Sequence, residues 1–200
     1  MSKDFFADKA GSYDQNKRRV DTVESIANAV ISNTRLESAM HLMDFGSGTG
    51  LLLERVAPYV NKITAVDVSN SMIKQLEAKR SELKCKLDIL AVDLEKSHID
   101  ARFDGIISSM TMHHIQNVSA VLEKFHGMLN EDGFIAIADL DLEDGSFHSE
   151  DTGVHHPGFD RDAFADVVRS LGFSAVQVTD AGVIHKEHGE FSVFLLTAKR

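Results

Sequence analysis

The chain has 200 residues, close to the length of one domain, which usually runs to ~100–200 residues. Its 31 acidic and 21 basic side chains leave a net charge of −10, and so acidic a chain repels phosphate backbones, which predicts no nucleic-acid partner. The single cysteine, Cys85, excludes an intramolecular disulfide and a cysteine-based zinc cluster. We see no secretory signal and no apolar run near the ~20 residues of a membrane span, so we expect a cytoplasmic protein without membrane insertion.

Predicted strands and helices alternate along the chain. The apolar spacing from Val23 to Val30 follows i, i+3, i+4, i+7 and predicts an amphipathic helix over about 14–34. Further helices are predicted over about 50–57, from an N-cap at Ser69, around 121–129 and around 164–171. Short apolar or β-branched runs predict strands at 40–45, 62–68, 87–92, 103–108, 134–138, 175–178 and 191–197.

This alternation predicts the fold class. Strands that alternate with helices form a mostly parallel sheet, with right-handed crossovers and helices on both faces. About a dozen residues separate the last two strands, too few for a crossover helix, so we expect the last strand to be antiparallel. The prediction is a single α/β domain over 1–200, a Rossmann-like, doubly wound, seven-stranded sheet with an amino-terminal helical cap at 1–37.

The segment 141–159 does not fit this alternation. It contains Gly145, Gly153, Pro157 and Gly158 among many polar residues and has no clear period. Loops of this length inside a compact domain are usually functional or disordered. Because the segment follows the fifth predicted strand, it begins at the carboxyl edge of the sheet, where open α/β sheets bind ligands. We therefore expect a loop on the substrate side.

A glycine-rich turn, DFGSGTG at 44–50, lies between the first strand and its helix. Gly46 allows a tight exit from the strand, Gly48 lets a ligand approach bare backbone, and Gly50 allows close packing of the helix. Asp67 ends the second strand, 21 residues after Gly46, where a carboxylate can accept hydrogen bonds from both hydroxyls of a ribose. The turn and the carboxylate together indicate a nucleoside-containing ligand.

Two ligand classes compete for this turn. A nicotinamide cofactor prefers G-x-G-x-x-G, with its pyrophosphate at the helix N-terminus, but here the position after Gly50 is Leu51. The carboxylate of Asp44 opposes a pyrophosphate and suits a cationic amino group. An adenosyl ligand that carries an amino acid and no phosphate, S-adenosylmethionine, therefore fits these residues better.

Several segments also resemble one family. Residues 41–50 resemble motif I of the class I S-adenosylmethionine-dependent methyltransferases, and 66–73 are similar to the acidic-loop motif of the small-molecule branch that includes the ubiquinone-biosynthesis methyltransferases. Residues 92–94 resemble the family's third motif, and 103–107, running on to His113 and His114, resemble the fourth. Residues 129–137 resemble the motif at strand five. The family's usual Pro-Gly-Gly is replaced by Glu-Asp-Gly at 131–133.

The resemblance implies S-adenosylmethionine as the cofactor. It implies that Asp44 holds the methionine amino group, that Asp67 takes the ribose hydroxyls, and that Ser108 flanks the transferable methyl group. The remaining implied contacts are Gly46, Ser47 and Gly48 along methionine and ribose, Val68 and Met72 against adenine, and Asp93 and Leu94 at the adenine amino group. Val68 and Met72 can equally be plain core residues.

Histidines are the candidate proton acceptors. Transfer from a sulfonium is an in-line displacement, which needs a base only when the nucleophile must lose a proton. His113 and His114 follow the fourth strand, and His155 and His156 lie in the long loop, so both pairs start from the same edge. We predict His113, His114 and His155 as catalytic, although a histidine at position 113 can also simply pack or cap a turn.

Other roles for nearby residues stay open. A metal would draw on oxygen and nitrogen ligands from Asp139, Asp141, His148, His155 and His156, but loop spacing fixes no geometry and no metal is predicted. An aromatic group at the amino end suits either a lid or an anchor for the first helix: Phe5, Phe6 and Tyr13.

The predicted function is S-adenosylmethionine-dependent methyl transfer to a small-molecule acceptor. The first alternative is a module that binds the cofactor without transferring the methyl group. The second and weaker alternative is a nicotinamide-dependent oxidoreductase.

Overall fold

A computed structural model describes residues 4–148 and 152–200, so the parts of the predicted cap and loop at 1–3 and 149–151 lie outside the described residues. The strands are β1 (His41–Phe45), β2 (Lys62–Asp67), β3 (Lys86–Ala91), β4 (Phe103–Ser109), β5 (Leu129–Leu140), β6 (Ser174–Lys186) and β7 (Gly189–Lys199). They form one sheet in the order β3-β2-β1-β4-β5-β7-β6. Among these strands β7 alone runs in the direction opposite to the other six, which confirms the predicted doubly wound sheet with an antiparallel last strand.

Helices cover both faces of this sheet. They are α1 (Lys17–Asn33), α2 (Leu51–Val56), α3 (Asn70–Ala78), α4 (Val118–Met128) and α5 (Arg161–Ser170). Alternate side chains of a strand point to opposite faces, so Leu42 of β1 joins the core under α1 to α3, and Met43 joins the core under α4 and α5. No helix within the described ranges is both long enough and apolar enough to cross a membrane.

Local sequence features explain where the helices begin. Ser69 caps α3 as predicted, since its hydroxyl accepts the backbone N–H of Met72 at 3.2 Å. The side chain of Asn16 accepts the N–H of Arg19 at 3.1 Å, so α1 begins at residue 17 and not at 14. A 3-10 turn over Ala10–Gln15 fills the difference.

Strands β5 and β6 are longer than their predicted cores at 134–138 and 175–178. Strand β6 lies at an edge of the sheet, where most of its side chains are partly or fully exposed, and the register shifts between Asp180 and Gly182. Polar edge positions of this kind carry no apolar run, so the sequence pattern ends too early. Residues 187–188 alone join β6 to β7 in an antiparallel hairpin, because most of the dozen residues expected between the two strands belong to the strands themselves.

The two ends of the segment 141–159 are joined at the base. Asp141 and Phe159 form a parallel β-bridge just beyond the end of β5. Arg161, the first residue of α5, donates two hydrogen bonds of 2.6 and 2.7 Å to the carboxylate of Asp141. This bidentate pair fixes where the segment leaves and rejoins the body of the domain, on the carboxyl edge of the sheet.

Candidate functional site

The glycine turn after β1 has positive φ at each of its three glycines. A Cβ atom at Gly46 would lie 2.2 Å from Oγ1 of Thr111, and one at Gly50 would lie 2.5 Å from Cδ1 of Leu76. Gly50 therefore permits close packing against α3, the helix that carries Leu76. Gly48 differs, because a Cβ there would meet no heavy atom within 4 Å. The turn faces open space at Gly48, as a ligand contact requires.

Asp44 is the main electrostatic feature beneath this turn. The residue is only 1% exposed, and its Oδ2 atom is buried without a hydrogen-bond partner among the described residues. Burial, with a smaller contribution from the charge of Asp67, raises the pKa of Asp44 to about 8. A buried carboxylate without partners is costly unless a cation or a donor reaches it. The amino group of S-adenosylmethionine supplies both, so this side chain fits that cofactor.

Asp67 ties the turn to the end of β2. Its Oδ2 accepts the N–H of Gly48 at 2.7 Å, and its Oδ1 accepts the N–H of Ser69 at 2.8 Å. Burial raises the pKa of Asp67, and the backbone N–H groups of Ser69, Gly48 and Val68 oppose that shift in part. An ionised carboxylate has about four acceptor positions, so a position remains for a ribose hydroxyl.

Two further predicted contacts are available to a ligand. The hydroxyl of Ser47 is buried and has no hydrogen-bond partner within the described part of the chain. Val68, directly after β2, leaves 60% of its surface exposed. An adenine ring against Val68 would cover that apolar surface.

The other predicted cofactor residues already have structural partners. Met72 and Leu94 are buried, and Ser108 is fully buried, donating its hydroxyl to the carbonyl of Phe45 at 2.8 Å. This bond joins β4 to the end of β1 directly before the glycine turn. Asp93 accepts from the N–H of Glu95 and from Lys96, so its carboxylate is partly occupied. Ligand contact by these four residues remains a prediction, and the structure gives each of them a packing or hydrogen-bonding role.

A buried histidine–aspartate pair follows β4 and β5. Nδ1 of His113 lies 2.6 Å from Oδ1 of Asp139, and both residues are buried. Asp139 also accepts the backbone N–H of Leu140, at 2.7 Å, and of His113, at 3.3 Å. The pair forms because β4 and β5 are neighbours in the sheet and both residues lie at its carboxyl edge. The sequence offers Asp139 only as a candidate metal ligand and does not predict this pairing.

Three histidine rings cluster at this edge. The ring centroids of His114 and His148 lie 4.3 and 5.2 Å from that of His113, and 5.7 Å from each other. Burial lowers the pKa of both His114 and His148 to about 4, and the charge of the neighbouring His113 makes the next largest contribution. Both rings are therefore neutral at pH 7. Nothing in the sequence pattern predicted that His148 would join the two histidines after β4.

His155 takes a different place from His113 and His114. The backbone N–H groups of His155 and His156 donate to the carbonyl of His113, at 2.9 and 3.1 Å, while His155 as a residue is exposed. Nε2 of His156 lies 2.9 Å from the carbonyl of Ile115. The long segment therefore docks on the turn after β4.

The metal-ligand set considered from the sequence does not assemble. The carboxylate of Asp141 is bound by Arg161, the ring of His156 faces a backbone carbonyl, and Asp139 contacts His113. Of the five, Asp139 and His148 contact the histidine cluster, and His155 lies within electrostatic reach of His114.

The amino-terminal segment closes over the same edge. Asp4 accepts hydrogen bonds of 2.8 Å from the hydroxyls of Ser69 and Ser71 at the start of α3. Phe6 packs edge-on against His114, with ring centroids 5.8 Å apart. Burial raises the pKa of Tyr13, which lies in the electrostatic reach of Asp67. These contacts bridge the two halves of the edge and agree with the lid interpretation.

The fold and the site together define a Rossmann-like protein with a glycine turn and two acidic side chains, Asp44 and Asp67, at the carboxyl edge of its sheet. Residues 43–137 match the family model of the methyltransferase domain. This match and the methyltransferase relatives support the predicted resemblance to the class I S-adenosylmethionine-dependent methyltransferases, and S-adenosylmethionine is the cofactor of that family.

Individual proteins agree with this assignment. An uncharacterized methyltransferase of Schizosaccharomyces pombe is 26% identical over 183 residues, covering 83% of this chain and 64% of that protein. The ubiquinone biosynthesis O-methyltransferase of Nitrobacter winogradskyi is 26% identical over 110 residues, covering 55% of this chain and 42% of the relative. The chain thus spans less than two thirds of the length of these relatives.

One solved structure shows the same fold. The N-methyltransferase NodS from Bradyrhizobium japonicum, in complex with S-adenosyl-L-homocysteine, superimposes with a TM-score of 0.73 at 12% identity. The match covers 98% of this chain and 94% of the other.

Proposed function

We propose that this chain transfers a methyl group from S-adenosylmethionine to a small-molecule acceptor. The observation that carries the proposal is one carboxylate oxygen of Asp44, which is buried and has no hydrogen-bond partner among the described residues. It lies beneath a glycine turn that is open at Gly48. A cationic amino group of a ligand would pair with this carboxylate and offset the cost of burying its charge. A nicotinamide dinucleotide would instead bring its pyrophosphate to the turn, and Asp44 would repel it.

The three cofactor parts have separate places along one edge. The methionine amino group binds at Asp44, the ribose hydroxyls bind at Asp67, and the adenine covers the exposed side chain of Val68. This order follows the sheet from β1 to β2. It directs the sulfonium toward the histidines after β4, the next strand on the other side of β1.

The acceptor site lies between that edge and the segment 141–159. Support for a small molecule comes from the net charge of −10, which opposes nucleic acid, and from the docking of His155 and His156 on the turn after β4. The relative named for ubiquinone biosynthesis points in the same direction. Proximity alone contributes up to ~7–11 kcal/mol to such a transfer when the two reactants are aligned.

The three predicted catalytic histidines differ in how well they can contact the acceptor. His113 is enclosed by the fold, and a pKa of about 4 makes His114 a weak proton acceptor near neutral pH. His155 is exposed on the segment that covers the edge, and we assign it the contact with the acceptor. The remaining alternative, cofactor binding without transfer, is separated by measuring binding and turnover independently.

We predict that His155→Ala lowers turnover at least tenfold while the affinity for S-adenosylhomocysteine stays within twofold. Removing an acceptor contact leaves the cofactor pocket intact, so the two readouts separate. Turnover is measured as transfer of labelled methyl from S-adenosylmethionine to a panel of phenols, amines, carboxylic acids and thiols. His185→Ala is the matched control, because His185 is exposed and paired with Glu190 on the β6–β7 hairpin.

Unchanged turnover in His155→Ala would remove His155 from the acceptor site. A second variant tests the whole segment, with 143–157 replaced by a short glycine-serine linker. Because Asp141 and Phe159 are bridged, the linker can close without moving the sheet. Full turnover with the linker would contradict the role of the segment, and cofactor binding with no transfer to any acceptor class would favour the binding-module alternative.

A further inference from the structure

We propose that His113, His114 and His148 form a binding site for a divalent transition-metal ion. One ring nitrogen from each of the three side chains lies within 4.8 Å of the other two. The three residues come from two separate parts of the chain, the turn after β4 and the long segment after β5. The three histidines are therefore brought together by the fold and not by their spacing in the sequence.

The hydrogen bonds of the rings leave the same nitrogen available on each histidine. Nδ1 of His113 faces the carboxylate of Asp139 at 2.6 Å, and Nδ1 of His114 faces the carbonyl of Gly153 at 3.4 Å. Nδ1 of His148 faces the hydroxyl of Thr152 at 3.1 Å. When each Nδ1–H is donated to its oxygen, the lone pair is left on Nε2, which is a metal-binding atom of neutral imidazole.

His148 supplies a second observation for this site. Its Nε2 atom is buried and has no hydrogen-bond partner among residues 4–148 and 152–200. A buried imidazole nitrogen without a partner is costly, and a metal ion would satisfy it. No part of the proposed methyl transfer uses His148.

Asp139 completes the arrangement typical of bound metals. A histidine ligand usually donates its other ring nitrogen to a carboxylate, which fixes the ring and increases its basicity. Asp139 is fully buried and is itself held by the N–H of Leu140 at 2.7 Å, so it keeps the ring of His113 in one orientation. Its negative charge also offsets part of the charge of a divalent ion.

The ligand set selects the class of ion. Three imidazoles suit Zn²⁺, Co²⁺ or a similar ion, whereas Mg²⁺ and Ca²⁺ prefer oxygen ligands. Metal–nitrogen bonds of ~2.0–2.1 Å bring tetrahedral ligands to roughly 3.3 Å from one another, so the rings must close in around the ion. Three protein ligands leave a fourth position for water or for an oxygen atom of a substrate. In this site His113 and His114 act as metal ligands, whereas the sequence predicts them as proton acceptors.

The test is a metal titration of the full chain after treatment with a chelator. We expect Zn²⁺ and Co²⁺ to bind one ion per chain by calorimetry, and bound Co²⁺ to show the intense visible absorption of a four-coordinate site. Mg²⁺ should give no saturable binding. Neither methyl donor nor acceptor is present, so the result is independent of the proposed function.

Variants identify the ligands. We expect His148→Ala to weaken Zn²⁺ binding by more than ~100-fold, beyond the 10–100-fold loss typical of changes around the ligands, and Asp139→Asn to weaken it by ~10–100-fold. His98→Ala should bind as the wild type does, since His98 is exposed on the segment between β3 and β4. Circular dichroism checks that each variant is folded.

Two results would overturn the proposal. One is the absence of saturable Zn²⁺ and Co²⁺ binding to the wild-type chain, which would mean that the three rings pack together without an ion. The other is wild-type affinity in both His148→Ala and Asp139→Asn, which would place any bound ion elsewhere on the chain.

Discussion

Replacing Asp44 by asparagine is expected to weaken S-adenosylhomocysteine binding by ~100-fold or more. Breaking a buried charge pair by removing one partner costs ~3–5 kcal/mol, and each 1.4 kcal/mol is a factor of ten in affinity. Asparagine keeps the shape of the side chain, so the loss reports the charge and not the packing. Isothermal calorimetry at pH 8 measures it, and an affinity within threefold of the wild type would show that Asp44 does not hold the amino group.

The same substitution should stabilise the cofactor-free protein at pH 8. The pKa of Asp44 is about 8 in the folded chain and ~3.9 in an unfolded one. The folded state therefore keeps a proton that the unfolded state releases, and the stability linked to that proton is complete below about pH 4 and lost as the pH rises through 8. The asparagine side chain of the variant does not titrate. The difference in unfolding free energy between the wild type and the variant therefore reports the titration of Asp44.

Urea unfolding at pH 5 and pH 8 measures this difference. We expect the wild type to lose stability relative to Asp44→Asn over this interval, by as much as ~4 kcal/mol if the folded state keeps its extra proton across all three pH units. Equal stability differences at the two pH values would contradict the raised pKa of the buried Asp44. Cofactor binding to the wild type should release protons near pH 7, and this release should be absent in the variant.

Gly48→Val should leave no measurable binding of S-adenosylhomocysteine to a folded protein. The branched side chain would fill the open space in front of the turn, and Gly48 has φ +54, which L residues adopt at a cost of ~1–2 kcal/mol. The matched control is Gly145→Val, because Gly145 also has positive φ, +90, and open space around its Cβ position. Calorimetry compares the two variants with the wild type.

The control separates backbone strain from ligand contact. Both substitutions should lower the melting temperature, but only Gly48→Val should abolish cofactor binding. Similar cofactor affinities in the two variants would mean that the space in front of Gly48 is not the methionine and ribose site.

The features predicted well from the sequence depend on short stretches of chain. The turn at 44–50 carries its own conformational requirement in its glycines, and Ser69 caps a helix that begins one residue later. Asp67 meets Gly48 because β1 and β2 are consecutive, parallel neighbours. Local geometry and the simplest strand order were enough to place these residues together.

The features that were missed depend on contacts between distant segments. Asp139 meets His113 across two adjacent strands, 26 residues apart, and His148 reaches them through the path of an aperiodic segment. Hydrophobic period carries no information on such a path. Ser108 likewise has a partner that the sequence does not reveal, since its hydroxyl donates to the backbone carbonyl of Phe45 in β1. Burial and competing partners decide these outcomes, and they are properties of the folded chain.

The most direct test of the methyltransferase assignment compares cofactors on the unmodified chain. S-adenosylhomocysteine at ~100 times its dissociation constant should add ~2.7 kcal/mol to the free energy of unfolding and raise the melting temperature, while NAD and NADP at the same concentration should not. At pH 8 and above, where Asp44 ionises, we expect this difference because its carboxylate attracts an amino group and repels a pyrophosphate. Stabilisation by NAD or NADP, with no shift from S-adenosylhomocysteine, would contradict the assignment.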